Sequence, residues 1–275
     1  MTIYPLYQID AFASEIFSGN PAAVMPLSAS LPDKVMQNIA QENNLAETAF
    51  IVQRADGDYD LRWFTPNAEI EFCGHATIAS AHVLIAELGH SPMVVFHTQI
   101  GKLDVTHTKL GYTLKAPLYQ SSSIPIDKVI NKVFGKNIVG VYHARNNIYV
   151  ELVSAQAVKD FTPDMGAIAD YLASLSKDMF MGVSIMAEGN GDFRQYDFIS
   201  RHFAPLHGVP EDPVTGSAHS ALAPFWAKRL NGKTELLAYQ CSKRGGELVL
   251  SVGTDAVYIT GQAITYLRGE IFLTP

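Results

Sequence analysis

The chain has 275 residues, 48% of them hydrophobic and 17% charged, with a net charge of −7. That is a folded composition, long enough for one large domain or two lobes with ample cores. The acidic balance, with Lys and Arg concentrated nowhere, excludes the basic footprint that nucleic-acid binding needs.

Taken in chain order, residues 4–12 read as a strand, Ser18-Gly19-Asn20-Pro21 as a turn and residues 22–25 as a short strand. Leu31-Pro32-Asp33 opens a helix, since Pro suits the first turn and Asp the positive end of the helix dipole. Val35, Met36, Ile39 and Ala40 keep helical spacing, and the helix should end near Asn43-Asn44. Residues 46–53 and 59–65 read as paired strands. Residues 74–88 form a helix that is apolar nearly all round and so should be buried, with Gly89 as its C-terminal cap. Three strands follow at 93–98, 102–107 and 111–116.

The second half repeats this order. Tyr142-His143 and residues 147–152 are strand-like. Thr162-Pro163-Asp164 opens a helix carrying Ile168, Leu172 and Leu175. Residues 182–187 form a strand with residues 194–199 as partner. Residues 216–230 form a second buried helix, which Pro224 should kink or interrupt because it lacks an amide hydrogen. Strands follow at 236–241, 246–252 and 255–260. A last strand, 264–272, has no counterpart in the first half.

The repetition extends to motifs. Phe64-Thr65-Pro66 precedes a loop ending in Phe72-Cys73-Gly74-His75-Ala76. Phe203-Ala204-Pro205 precedes one ending in Glu211-Asp212-Pro213-Val214-Thr215-Gly216-Ser217-Ala218-His219. Tyr59-Asp60-Leu61-Arg62 is echoed by Tyr196-Asp197-Phe198 with Arg201, and Gly101-Lys102-Leu103-Asp104-Val105 by Gly246-Glu247-Leu248-Val249-Leu250. The repeat, roughly 137–145 residues by the offsets between matched motifs, is too long for a solenoid. It predicts an α/β (α+β) protein of two pseudo-symmetric lobes, each a sheet curled around one apolar helix. The first lobe is expected over residues 1–116, with 262–275 returning to it, and the second over 117–261.

Each buried helix begins with a glycine, Gly74 or Gly216. Its first amides lack internal partners and, with the dipole, favour an anion. Two such starts facing a cleft between the lobes would clamp a small carboxylate. Taken singly, each glycine is equally explained by a tight turn. Aligning residues 46–52 on 181–187 sets Glu47 opposite Gly182, so the carboxylate belongs to one copy only. At the start of the apolar strand Glu47-Thr48-Ala49-Phe50-Ile51-Val52 it would be partly desolvated if turned inward, and so usable as a proton donor and acceptor near neutrality. Turned outward, it would be a solvated strand-edge residue. Cys73 pairs with Asp212, and His75 and Ser217 follow in the first helical turns. The imidazole of His75 should be held neutral by the positive helix end. A capping role would also account for His75 and for Asp212.

Absences narrow the chemistry. No HExxH or paired Cys/His spacing marks a metal site, and neither GxGxxG after a strand nor GxxxxGK[ST] marks a nucleotide, so no cofactor or metal is expected. Gly-x-Ser-x-Gly is missing too. No apolar run reaches the ~18–20 residues of a membrane helix. Met1-Thr2-Ile3-Tyr4-Pro5 lacks signal-peptide character. Two cysteines, Cys73 and Cys241, make no disulfide framework, so the cytoplasm is the expected compartment.

Six motifs in order resemble the PhzF-like, phenazine-biosynthesis family. They are Asp10-Ala11-Phe12, Gly19-Asn20-Pro21-Ala22-Ala23-Val24, Glu47-Thr48-Ala49-Phe50, Phe64-Thr65-Pro66, Cys73-Gly74-His75-Ala76-Thr77 and the Glu211-to-His219 run. The resemblance implies the diaminopimelate-epimerase-like fold, with two pseudo-symmetric lobes of barrel-like sheet around a central helix and an active site in the cleft. It also implies a cofactor-free isomerase in which Glu47 shuttles a proton, the family's named reaction moving a hydrogen within a dihydro-hydroxyanthranilate ring. His75, Asp212, Ser217 and the Gly74 and Gly216 amides match substrate-binding positions, and Asn20 matches a position where the fold's epimerases contact substrate. A homodimer is implied by the resemblance alone. The related epimerases use two cysteines; here only Cys73 stands in such a position, with Asp212 in the other, which disfavours a two-thiol racemase. The helix end would raise the thiolate fraction of Cys73, leaving its role open. The rival readings are a cysteine-using epimerase and a non-catalytic binder of small acids.

Overall fold

In the computed structural model the chain forms a mixed α/β fold of two compact units, Met1–Ala116 with Tyr258–Pro275, and Pro117–Val257. The structure describes residues 1–175 and 182–273. Met181, used in aligning the two halves, and the last two residues of the returning segment lie outside them.

In the first unit the strands are β1 (Thr2–Ala11), β2 (Asn20–Leu27), β3 (Glu47–Gln53), β4 (Tyr59–Phe64), β5 (Glu69–Ile70), β6 (Met93–Thr98), β7 (Gly101–Thr108) and β8 (Gly111–Pro117). β1 pairs antiparallel with β2, β2 parallel with β3, β3 antiparallel with β4 and β4 parallel with β6. β6, β7 and β8 continue as antiparallel neighbours. A parallel pair needs a crossover, and α1 (Asp33–Asn43) supplies the one between β2 and β3. Asp33 occupies its first turn, and Asn44 ends it in the left-handed region (φ 50°) with its N–H on the Ala40 carbonyl. The turn expected at residues 18–21 is shorter than that span. Asn20 and Pro21 already pair with Ala11 and Asp10 in the sheet; Pro21, which has no N–H to donate, stands at the strand start, before the pairing with β3 begins at Ala22.

The sheet curls around α2 (Gly74–His82), of which every residue is buried. This is the physical meaning of a helix without a polar face. The α-helical turns stop at His82, short of the expected end at residue 88. Val83–Glu87 is a π-helix, with Leu88 N–H reaching the Val83 carbonyl at 3.0 Å. The wider turns deliver Glu87 to Thr265 (2.5 Å) and to Arg268, an outcome of tertiary pairing that helical periodicity does not encode. The C-terminal strand Ala263–Leu273 pairs antiparallel with β1. Outside the sheet, Met36, Ile39 and Ala40 of α1 pack on Met25, Leu27, Phe50 and Phe64.

The second unit repeats the pairing scheme. Ile138–Ala144 is antiparallel to Asn147–Leu152, which is parallel to Gly182–Glu188. Gly182–Glu188 is antiparallel to Phe198–Ala204, which is parallel to Glu235–Gln240. Glu235–Gln240 and Gly246–Val252 close as an antiparallel pair. The partner of Gly182–Glu188 therefore starts at Phe198, not at Arg194, since residues 191–193 form a 3-10 turn. The last strand does have a structural equivalent. Ser122–Ile124 pairs with Ile138–Ala144 as Ala263–Leu273 pairs with β1. Two short helices, Lys128–Phe134 and Ala155–Asp160, are added to the expected set, each capped by the residue before it, Asp127 or Ser154.

The buried helix of this unit, Gly216–Arg229, runs through Pro224 without interruption. Proline removes the amide that would bond the Ser220 carbonyl, and the Tyr119 N–H takes that carbonyl instead at 3.0 Å. The lost bond is replaced from outside the helix, so the break expected at Pro224 does not occur. No helix among the described residues is long and apolar enough to cross a membrane.

Candidate active site

Parallel pairing of β2 with β3 sets Ala22 beside Glu47, so Asn20, two residues before Ala22, lies near the start of β3. α2 begins beneath these strands, with Cys73 in extended conformation as its N-cap residue. Tertiary packing thus gathers Asn20, Glu47, Cys73, Gly74 and His75 from three segments. Glu47 is turned inward, its side chain 12% exposed, and its Oε2 lies 2.9 Å from His75 Nε2. On the other side of the ring, His75 Nδ1 lies 3.0 Å from the Asn20 amide nitrogen and 3.5 Å from Cys73 Sγ. His75 is held at both ring nitrogens within a buried setting, so its orientation is fixed.

Two electrostatic expectations are corrected here. Burial disfavours the imidazolium of His75, and negative charge on Cys73 or Glu47 favours it; with the Cys73 thiol itself protonated, the Glu47 carboxylate at 2.9 Å is the partner that raises its pKa above the ordinary histidine value. The neutral imidazole expected from the helix end is not what the environment favours, because an ion-pair partner at contact distance acts more strongly than a helix dipole. Conversely, burial, reinforced by the Glu47 charge, pushes the Cys73 thiol up to about 11. The thiolate promoted by the helix end is therefore suppressed: desolvation and a neighbouring carboxylate both oppose a second negative charge.

Glu47, Cys73 and His75 bring three potential ligand atoms within 4.8 Å of one another. A single ion binds one ring nitrogen, and Nε2, 2.9 Å from the Glu47 carboxylate, also lies 3.9 Å from the Cys73 sulfur. Around a tetrahedral ion with bonds of ~2.0–2.3 Å, donors stand ~3.4 Å or more apart; the 2.9 Å between Glu47 and His75 is an ion-pair contact, closer than that. A second trio, Asp56, Asp58 and His97, is formed by solvent-accessible side chains. There Asp58 is already taken by His97 at 2.7 Å and by Lys102 at 3.3 Å.

In the second unit Asp212 ends the strand Val209–Asp212, and Gly216 and Ser217 open the buried helix. Thr215 Oγ1 donates to Asp212 Oδ2 at 2.5 Å. Gln240, which carries no motif of its own, organises this turn. Its Oε1 accepts from Thr215 N–H at 2.8 Å, and its Nε2 donates to the Asp212 carbonyl at 2.7 Å. The two helix starts share a further device. Thr77 Oγ1 donates to the Cys73 carbonyl at 2.6 Å, and His219 Nδ1 contacts the Thr215 carbonyl at 2.8 Å. In each, the N-cap carbonyl is bound by a side chain one turn along. The echoed arginines match as well. Arg62 forks onto Glu69 and lies over Phe64 at 5.2 Å, and Arg201 forks onto Glu211 and lies over Phe203 at 5.2 Å.

A family model described as phenazine biosynthesis-like protein, PhzC-PhzF, matches residues 9–269. An uncharacterized isomerase of Halalkalibacterium halodurans is 41% identical, over 99% of this chain and 100% of that protein. A PhzF-family crystal structure from Enterococcus faecalis superposes with a TM-score of 0.91 at 42% identity, covering 99% of this chain and 100% of that one. A hydroxyproline epimerase from Agrobacterium vitis, solved with trans-4-hydroxy-L-proline bound, is 13% identical with a TM-score of 0.62, covering 98% of this chain and 92% of that one. At that identity the likeness is one of fold.

Proposed function

This chain belongs to the phenazine biosynthesis-like (PhzC-PhzF) family and is an isomerase in class, and on that premise we propose that it moves a proton between two carbons of a small carboxylate-bearing substrate, with Glu47 as the shuttle. The observation that carries this reading is the inward Glu47 carboxylate lying 2.9 Å from a buried histidine whose charged form is favoured. The histidine beside it orients the Glu47 carboxylate as a base. Glu47 takes a proton from a carbon next to an unsaturated or carboxyl-activated centre, and the C–H electrons pass into that conjugated system. The same carboxyl group then returns the proton to another carbon, so no redox partner or leaving group is involved. Asn20, Gly74 and His75 in the first unit and Asp212, Gly216 and Ser217 in the second are assigned to substrate binding. The positive ends of the two buried helices suit the carboxylate and the charge that shifts during transfer. The chemistry asks for no nucleotide or metal, and turnover should survive exhaustive chelation. Two buried free cysteines suit a reducing cytoplasm.

Cysteine-based epimerisation is disfavoured by a Cys73 thiol pushed up to about 11. The test is Glu47→Gln, which keeps the shape and removes proton acceptance. Candidate substrates, a dihydro-hydroxyanthranilate and a panel of amino acids, are followed by proton NMR for rearrangement and for exchange in heavy water. The variant should lose ~10²–10⁴-fold in turnover while still binding a carboxylate mimic. Turnover within a few-fold of the unaltered enzyme would assign proton transfer to another residue, with Cys73→Ser and Asp212→Asn as the next variants.

A further inference from the structure

Asp212 and Gln240 are 28 positions apart. They meet because two strands share one edge of Phe198–Ala204, whose other edge is taken by Gly182–Glu188. Glu235–Gln240 runs beside residues 198–200 and ends at Gln240, and Val209–Asp212 runs beside His202 and Ala204 and ends at Asp212. Gln240 is 1% exposed and Thr215 8%. The whole amide of Gln240 is engaged. Its Oε1 accepts from the Thr215 N–H at 2.8 Å, and its Nε2 donates to the Asp212 carbonyl at 2.7 Å and to Thr215 Oγ1 at 3.2 Å. The opposite flip would set an oxygen against the carbonyl, so the network fixes the amide. With an N–H arriving at Thr215 Oγ1, the single hydroxyl proton is turned to Asp212 Oδ2 at 2.5 Å. Thr215 is the N-cap residue of Gly216–Arg229, where a threonine hydroxyl ordinarily binds the first helical amides. Here it makes no such bond, although Asp127 and Ser154 cap the two short helices of this unit in that way. The hydroxyl is diverted from capping to the carboxylate.

The first unit lacks this device. Ile70 stands against Trp63 where Asp212 stands against His202, and Thr98 lies two residues beyond Phe96 as Gln240 lies two beyond Ala238. Cys73 is the N-cap residue in place of Thr215, so the pairing of Cys73 with Asp212 expected from the motifs shifts to Thr215. Glu47 belongs to one copy alone, and the trio of Asp212, Thr215 and Gln240 to the other.

We propose that Gln240 is a positioning residue of the reaction: it aims the Thr215 hydroxyl, and that hydroxyl holds the Asp212 carboxylate in the orientation that meets substrate. The proposal rests on the assignment of Asp212 to substrate binding made above. A group fixed before substrate arrives need not be ordered on binding. A displacement of about 1 Å in a reacting assembly can cost ~10²-fold in rate.

The test uses Gln240→Met, which keeps an unbranched side chain without the amide, and the milder Thr215→Val, which removes only the hydroxyl. Crystal structures of both, beside the unaltered chain, read the geometry without any substrate. In Gln240→Met the Thr215 hydroxyl should rotate to cap the helix amides and release Asp212. In Thr215→Val the Asp212 carboxylate should turn to another rotamer. A carboxylate that keeps its place in either variant would overturn the proposal.

Turnover is measured on the folded proteins with the candidate substrates named above. kcat/KM should fall ~10²-fold in Gln240→Met and in Thr215→Val, and Thr215→Ser should recover roughly tenfold over Thr215→Val. In an Asp212→Ala background Gln240→Met should cost less than about twofold more, because coupled residues are not additive and its effect passes through a carboxylate already removed. Equal losses in both backgrounds would make Gln240 a merely structural residue and sink the idea. Glu47→Gln decides the proton shuttle separately: normal turnover in that variant refutes the shuttle and leaves the Gln240 comparison standing. If no candidate substrate turns over, the crystal comparison decides by itself.

Discussion

The two units are built on one plan and differ where it matters chemically. Thr48 pairs with Phe64 in the first, and Val183 pairs with Phe203 in the second, so Glu47 and Gly182 occupy the same place in their sheets. In the first unit that place holds a carboxylate facing a histidine from the central helix. In the second it holds no side chain, and the His202 imidazole from the adjoining strand takes the space. A Cβ on Gly182 would lie 2.6 Å from His202 Nε2. His202 meets Ser184 Oγ at 2.9 Å, and burial lowers its pKa to about 4. One copy therefore keeps a carboxylate beside a histidine, and the other is closed by neutral packing. Duplication supplied the frame, and single residues at equivalent positions separated the roles.

That contrast is open to measurement. The largest effect is the ~10²–10⁴-fold loss of turnover for Glu47→Gln, measured on the folded protein. If instead the variant unfolds and its activity loss follows its unfolded fraction, Glu47 is a structural residue like its counterpart. Next come the matched arginines. Arg201 is buried and also donates to the Phe161 carbonyl at 2.6 Å, whereas the side chain of Arg62 is 30% exposed. Arg201→Ala should cost about 3–5 kcal/mol, as breaking a buried pair does, and Arg62→Ala about 1 kcal/mol. Urea denaturation of both variants would reveal equal costs if their surroundings were energetically alike.

His75 and the buried histidines of the second unit should give opposite pH signatures, and His82 of the first unit, lowered to about 4 by burial, behaves as the latter. His202 and His219 each have a pKa lowered to about 4, chiefly by burial. Their unfolded forms protonate near the ordinary value of ~6.5. Between those limits the unfolded chain binds the extra protons, so stability is full above about pH 6.5 and falls as the pH drops towards 4. The loss is at most roughly 3–4 kcal/mol per histidine, from ~1.4 kcal/mol per pKa unit. His75, raised by its partners, works the other way. Its contribution is full below the unfolded value and is lost as the pH rises through the folded one. Unfolding measured across the pH range should lose part of its acid sensitivity in His202→Gln and its His75-linked alkaline component in His75→Gln. An acid limb unchanged by His202→Gln would mean that the ring is not held neutral. The smallest effect is Gly182→Ala. The added methyl group meets His202 and the Phe203 carbonyl oxygen at 2.6 and 2.8 Å, and overpacking of this kind costs about 1–3 kcal/mol. A neutral result by thermal or urea unfolding would show that His202 yields the space freely.

Much of this frame was legible in the residue order. The apolar runs from Gly74 and Gly216 predicted two buried helices, because a helix with no polar face has nowhere else to go. The echoed Arg and Phe positions predicted equivalent strands, and the register places Phe64 and Phe203 alike. Less legible were features in which a distant group replaces a local one. Pro224 reads as a helix breaker until Tyr119 is seen on the Ser220 carbonyl. The residues 83–87 keep helical periodicity, yet wind as a π-helix that ends with Glu87 on Thr265 and Arg268.

By itself the sequence determined the duplication, the alternation of strands and helices and the residue types available for proton transfer, because these rest on local periodicity and on matched motifs. Only the tertiary structure decided what those residues are to one another. It brought Asn20, 55 positions away in the chain, to 3.0 Å from His75 and turned Glu47 inward against the same ring. It set Gln240 across the Asp212-to-Thr215 turn, 25 positions from Thr215. It also reversed the expected protonation of His75 and Cys73. Charge states in a core depend on what is buried within a few ångströms, and that distance is set by packing between segments rather than by order along the chain.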